Sequence, residues 1–215
     1  MEAQQNTIVT CDWLGKIPYS ESLRIQKSFI NSVGSKEIKI LGFECEPVIT
    51  VGKRGSLARD LIATKEIVTS KGYDIVKVDR GGELTMHHPG QLVIYPLVPI
   101  EKLKISVKDF VDLLENLTVG CFKESLGIHL KRQASEPGLY TDNGKLVFLG
   151  LRIQKGVSTH GLSINVNNSL EDFSMIKPCG VAEQKMDRTT NYSPLETKSV
   201  FETWCQALKK EFIST

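Results

Sequence analysis

The chain has no stretch long and apolar enough to cross a bilayer. Its longest apolar run, Leu92 to Ile100, contains Pro96 and Pro99 and falls far short of a span. It has no block of like charge either: 27 Lys and Arg stand against 25 Asp and Glu, a net charge of +2. Such a balance excludes nucleic acid or an anionic membrane as a partner held by bulk charge, so any acidic partner must be met by a local patch. Internal repeats, low-complexity segments and linker-like shifts of composition are missing. The first residues, Met1 to Thr7, carry neither the basic nor the apolar segment of a secretory signal, which predicts a cytoplasmic protein. Cysteine is sparse and scattered: Cys11, Cys45, Cys121, Cys179 and Cys205 are odd in number and lack the close spacing of zinc or redox pairs. Reduced thiols and no metal site are the expectation.

What remains is ordinary globular material, 40% hydrophobic and 24% charged, and 215 residues predict one domain with a sizeable core. Period-two and short apolar runs predict strands at Thr7–Trp13, Glu37–Phe43, Pro47–Val51, Asp74–Asp79, Leu92–Val98, Gly138–Thr141, Leu146–Gln154 and Thr159–Asn165. Helical spacing predicts Tyr19–Ser32, Asp60–Ser70, Ser106–Leu126 and Leu195–Ile213, while residues 167–194 read as polar and irregular. Strands in clusters with helices between them point to an α+β fold, a mixed, largely antiparallel sheet with packed helices.

One stretch holds more than a core requires. Arg80-Gly-Gly-Glu-Leu-Thr-Met-His-His-Pro-Gly-Gln91 places two glycines, a hydroxyl and adjacent imidazoles between two apolar runs. Gly81 and Gly82 permit close backbone approach, and Thr85 and His87 fall on one face of an extended chain. This is either a pocket wall or a glycine-bearing hairpin with solvated histidines. Downstream, Cys179 sits between Pro178 and Gly180 in a loop, free of any strand ladder or helix stripe, and is a candidate nucleophile if its thiol is ionised. The bland alternative is an inert loop cysteine. Lys145 follows an Asp142-Asn143-Gly144 turn, where a lysine is ordinarily solvated; beside a thiol it would favour the thiolate and move protons. His129 and His160 read as structural, and Cys121 as core.

Arg80-Gly-Gly-x-x-Thr-x-His-x-Pro-Gly-Gln91, Pro137-Gly-x-Tyr140, Gly144-Lys145, Leu149-Gly-Leu-Arg152, His160-Gly161, Asn165-Val166 and Pro178-Cys-Gly180 occur in an order and spacing that resembles the lipoyl/octanoyl transferases. The resemblance runs from Leu14 to about Lys185 and is carried by the set rather than by any single motif. It implies a fold like the catalytic domain of biotin and lipoate protein ligases, and transfer of an octanoyl group from acyl carrier protein to a lysine of lipoyl domains. Those domains belong to 2-oxoacid dehydrogenase subunits and the glycine cleavage H protein. By the same resemblance Cys179 carries the acyl group as a thioester, Lys145 lowers the thiol's pKa and handles protons, and no cofactor is needed beyond the phosphopantetheine of the carrier. Substrate contacts fall on Arg80, Gly81, Gly82, Glu83, Leu84, Thr85, Met86 and His87, on Phe148, Leu149 and Gly150, and on Gly161, Leu162 and Ser163. Leu84, Met86, Leu149 and Leu162 are the expected walls of an apolar slot.

Two departures stand out: His88 replaces a glycine beside the expected pocket wall, and Cys45 stands where the family commonly has histidine. The first is expected to alter the loop or narrow the pocket, the second to remove a hydrogen-bond partner. Competing functions are an ATP-dependent lipoate ligase relative and a non-catalytic carrier-binding module using Arg80, Lys53 and Arg54; neither requires Cys179.

Overall fold

The computed structural model describes residues 7–32, 34, 37–133, 136–178 and 184–213. In order along the chain, the strands are β1 (Ile8–Ile17), β2 (Glu37–Cys45), β3 (Val48–Val51), β4 (Asp74–Lys77), β5 (Leu84–His87), β6 (Gln91–Leu97), β7 (Lys131–Gln133), β8 (Glu136–Tyr140), β9 (Lys145–Gln154) and β10 (Val157–Asn165). Helices α1 (Tyr19–Ser32), α2 (Leu57–Asp60), α3 (Lys65–Ser70), α4 (Val107–Cys121) and α5 (Thr197–Ile213) complete the set. Seven strands form the main sheet in the order β1-β2-β6-β10-β9-β8-β7, and β4-β3-β5 form a small second sheet. All pairings are antiparallel except β1 with β2 and β3 with β4. The mixed, largely antiparallel sheet is as expected; the second sheet is not, because β5 pairs with β3 rather than acting only as a link.

Alternation along the central strands explains both covered faces of the main sheet. Ile38 and Ile40 of β2 and Leu92 and Ile94 of β6 pack with Phe110 and Leu114 of α4 and Phe201, Trp204 and Leu208 of α5. The intervening Leu41, Phe43, Val93, Tyr95 and Leu97 face the other way, into a cluster with Tyr19, Phe29 and Ile30 of α1. A strand buried on both faces reads as a continuous apolar run, which is why Leu92–Leu97 shows no polar alternation. A third cluster joins the small sheet, through Ile49, Leu84 and Met86, to Val68 of α3, to Phe148 of β9 and to Phe173 and Met175.

The predicted helix Asp60–Ser70 is two short helices. Between them, Ile62 and Ala63 both donate to the Met175 carbonyl (2.8 and 3.0 Å), Lys177 N donates to Asp60 O (2.7 Å), and Thr64 Oγ1 caps the restart by accepting from Ile67 N. Tertiary hydrogen bonds there outcompete a marginal helix. The predicted long helix Ser106–Leu126 is α4 followed by a π-helical turn, Phe122–Leu126, closed by Gly127 at φ 67°. Its start is capped by Ser106, whose Oγ accepts from Asp109 N at 3.1 Å. No helix among the described residues is long and apolar enough to cross a membrane.

Helix α5 sits against β2 because Gly42 has no side chain: a Cβ there would lie 2.4 Å from the Phe201 ring. Gly42→Ala must therefore push the helix off the sheet. We expect a loss of about 1–3 kcal/mol, the usual cost of overpacking, read as a lower urea midpoint with unchanged far-ultraviolet dichroism.

Candidate active site

Where the small sheet faces the main sheet, a narrow slot opens. Its walls are Leu84, Thr85 and His87 of β5, Val93 and Tyr95 of β6, Phe148 to Gly150 of β9 and His160 to Ser163 of β10, with Arg80, Gly82 and Glu83 across one side. The slot and its mouth together enclose about 450 Å³, and the walls are close enough to suit a slender, unbranched guest. Twelve of the fourteen residues expected at the substrate line it: Arg80, Gly82, Glu83, Leu84, Thr85, His87, Phe148, Leu149, Gly150, Gly161, Leu162 and Ser163. Met86 is a correction: it does not line the slot and is buried in the cluster that the small sheet forms with Phe148, Phe173 and Met175. Gly81 is another: it lies behind the wall, its N–H donating to Leu151 O at 3.2 Å.

Arg80 shapes this wall from within. Its buried guanidinium donates to Thr50 Oγ1, to Thr50 O (2.7 Å), to Glu83 O (2.9 Å) and to Gly81 O (2.8 Å), while the loop after β3 is bonded to the same segment through Gly52 N to Glu83 O and Arg54 N to Gly82 O. The planar fork suits several carbonyls at once, which lysine could not match. Thr85 Oγ1 is buried in the slot wall and has no hydrogen-bond partner among the described residues.

The imidazoles are held neutral. Burial pushes His87 down to about 3; its Nδ1–H donates to Gln91 Oε1 (2.7 Å), because Gln91 Nε2 already donates to Asn165 Oδ1. His160 also falls to about 3 through burial, aided by the nearby Arg80 and Arg152 guanidiniums. It donates from Nε2 to Asp79 Oδ1 (2.8 Å), but Asp79 is half exposed and already paired with Arg152, so burial prevails. His88 does not touch the slot. It points into a polar chain with Tyr73 (2.6 Å), Asn168 (2.9 Å) and, beyond them, Asp172, and burial lowers its pKa as well. The expectation that His88 narrows the pocket is thus corrected. Cys45 is likewise off the slot, fully buried beside Phe43 and Val48, its thiol pushed up to about 12 by that burial.

Lys145 is the most informative single residue. Read as a solvated turn lysine by its neighbours in sequence, it is fully buried, with its ammonium 5.2 Å from the Tyr140 ring centre and 5.3 Å from that of Phe148. Aromatic faces favour a desolvated cation by up to about 2 kcal/mol. Gly138 makes room for it: at φ 128°, a Cβ there would lie 2.7 Å from Lys145 Cε. The backbone of Lys145 is clamped by donation to Lys185 O (2.8 Å) and acceptance from Asp187 N (2.9 Å). Asp187, missed in the sequence because its surroundings look irregular, is a buried carboxylate. It receives Thr141 Oγ1, Asn191 Nδ2 (2.6 Å), Tyr192 OH (2.5 Å) and Arg188 N (2.9 Å). Burial alone would raise its pKa, but these donors hold it below the usual range.

Cys179 and Gly180 lie outside the described residues. The segment they begin leaves the described chain at Pro178 and rejoins it at Gln184, and both ends border one cleft, with Lys185 clamped to Lys145. Among the described residues no cluster of His, Cys, Asp or Glu is arranged to hold a metal ion.

Residues 18–213 match the family model described as lipoyl protein ligase A/B catalytic domain. The chain belongs to this family. An octanoyltransferase of Dechloromonas aromatica is 35% identical over 202 residues, covering 92% of this chain and 94% of the relative. In fold, the family member lipoate-protein ligase A, in a crystal structure bound with ATP, superposes with a TM-score of 0.76 at 10% identity, covering 96% of this chain and 85% of that one. Biotin protein ligase from Aquifex aeolicus gives 0.54 at 11% identity, over 96% and 69%. The expected fold relationship to both ligases is thereby met.

Two outcomes follow from this geometry. Gly138→Ala should displace the Lys145 stem and lower activity at least about tenfold, consistent with an ångström-scale misplacement, in a protein whose melting temperature remains measurable. Stability should fall with pH through the histidines. With folded pKa values near 3 for His87 and His160 and an unfolded value of about 6.5, the folded form is fully favoured above about pH 6.5 and loses stability as pH falls toward 3. Urea unfolding at stepped pH should show at least about two protons taken up on unfolding near pH 4.5, and His87→Gln should remove about one.

Proposed function

We propose that this octanoyltransferase draws its acyl group from acyl carrier protein, holds it on Cys179 as a thioester, and passes it to a lysine of a lipoyl domain. The observation that carries the reading is a narrow, largely apolar slot walled in part by Phe148, with the buried Lys145 Nζ 5.3 Å from the centre of that ring. An eight-carbon chain fits such a space, and burying its seven alkyl carbons is worth about 5–6 kcal/mol at about 0.8 kcal/mol per methylene. Leu84, Leu149 and Leu162 supply apolar wall.

The Cys179 thiolate attacks the donor's thioester carbonyl; a carbon–sulfur bond forms, the bond to phosphopantetheine breaks, and the departing sulfur takes a proton from the Lys145 ammonium. The neutral Lys145 amine then accepts a proton from the incoming lysine, whose nitrogen attacks the acyl-enzyme and expels the Cys179 thiolate. The first exchange is nearly isoenergetic and the second forms an amide, so neither ATP nor a resident cofactor is called for. Charge on the intermediate's oxygen needs a donor. Since Leu151 O accepts from Gly81 on the edge away from β10, alternation turns the Leu149 N–H to that same edge and the Gly150 N–H into the β10 ladder. Leu149 is therefore the better oxyanion donor, worth about 3 kcal/mol in comparable sites. The acceptors are the lipoyl domains of 2-oxoacid dehydrogenase subunits and glycine cleavage H protein, and the reaction is placed in the cytoplasm.

The test is intact mass after incubation with octanoyl carrier protein. A gain of one octanoyl group, absent in Cys179→Ala, supports the reading; no adduct, or one formed only from free acid and ATP, overturns it in favour of a ligase. Lys145→Met keeps the stem volume but removes the charge. It should move the pH midpoint of Cys179 alkylation up toward the ordinary thiol value of about 8.5 and slow both half-reactions, whereas identical alkylation curves would dismiss the pairing.

A further inference from the structure

His160 is the one residue of β10 that breaks its alternation. Leu162 and Ile164 face the α4 and α5 core, and by parity His160 should join them. It adopts φ 55° instead, a left-handed conformation that is strained for a side-chain-bearing residue, and its ring lies on the opposite face, edge-on to Tyr95 at 5.7 Å. Gln26 Oε1 accepts the His160 N–H at 2.6 Å and Asp79 accepts its Nε2–H at 2.8 Å, so contacts from α1 and from the segment after β4 hold the strained turn. Strain of this kind, retained by several partners, marks a position whose side chain is needed where it is.

His160 lines two spaces. On one side it lines the acyl slot with Tyr95 and Gly161; on the other it lines an outer cleft with Gln26, Asp79 and Thr159. The proposed reaction puts the reacting end of the slot at Phe148, whose ring centre is 5.3 Å from Lys145 Nζ, and His160 pairs with Leu151, three residues further along β9. Three strand residues advance about 10 Å. An extended chain gains roughly 3.3–3.6 Å for every three bonds, so the seven carbon–carbon bonds of an octanoyl group span about 8 Å. The imidazole stands just beyond the reach of the eighth carbon.

We propose that the His160 side chain is the end wall of the acyl slot and sets the acyl chain length this enzyme accepts, by closing the slot off from the outer cleft. The inference rests on the octanoyltransferase reading with its reactive end at Lys145. It predicts that shrinking the side chain joins slot and cleft and admits longer chains.

Two variants suit the backbone: His160→Asn tolerates a left-handed turn and retains a donor for Asp79, and His160→Gly relieves the strain altogether. The full chain would be assayed with hexanoyl, octanoyl, decanoyl and dodecanoyl carrier protein, reading both acyl-enzyme mass and kcat/KM for transfer to a lipoyl domain. Wild type should peak at octanoyl. In His160→Gly the dodecanoyl-to-octanoyl ratio should rise at least about tenfold, the order of discrimination available from a methylene or two, with a smaller rise in His160→Asn. If either folded variant loses rate by the same factor at every chain length, His160 is a structural residue and the end wall lies elsewhere. Failure of the wild type to take up any acyl group from the carrier would instead overturn the assigned reaction.

Discussion

Burying Lys145 is the constraint around which the site is arranged. Taking an ammonium out of water costs several kcal/mol unless its surroundings compensate, and here the surroundings are specific. Two aromatic faces flank the charge, Gly138 leaves room for the stem, and the lysine backbone is clamped to the segment of residues 185–187. That clamp depends in turn on Asp187, whose carboxylate gathers four donors and so fixes the chain that rejoins just after the Cys179 segment. A lysine held this way presents its charge at one place, as the proposed proton transfer requires.

The slot follows from how the two sheets meet. The main sheet is covered by α4 and α5 on one face, while α1 covers only part of the other, and the small sheet takes the remainder. Arg80 spends its guanidinium on carbonyls and on Thr50 rather than pointing it at a ligand, so the stretch carrying the family's most recognisable motif is a wall braced from behind. Its histidines divide the labour differently from their positions in the motif. His87 is a neutral, oriented wall residue, and His88 belongs to a separate polar chain reaching Asp172. His160, unremarkable in sequence, closes the slot.

Much of this was legible beforehand because the signals were local. The period-two faces of β2, β9 and β10, the helical stripe of α4 and the glycine-bearing wall from Arg80 to His87 all depend on near neighbours, and the motif set located twelve residues that do converge on one slot. The failures were non-local. The helix expected over Asp60–Ser70 is broken by the Met175 carbonyl, a partner more than a hundred residues away. Met86 was expected in the slot with Leu84, which shares its face of β5, and only the packing of the small sheet against Phe173 and Met175 separates the two.

By itself, then, the sequence determined the strands, the apolar faces and the family, and singled out Cys179 and Lys145 as the candidates for the chemistry, because residue type and spacing encode periodicity and motif directly. Only the tertiary structure decided that Lys145 is buried, that Asp187 braces it and that His88 is turned away from the slot. It alone showed His160 standing between slot and cleft on the wrong face of its strand. Burial and desolvation are properties of what surrounds a side chain, and those surroundings are assembled from segments that the order of residues leaves far apart.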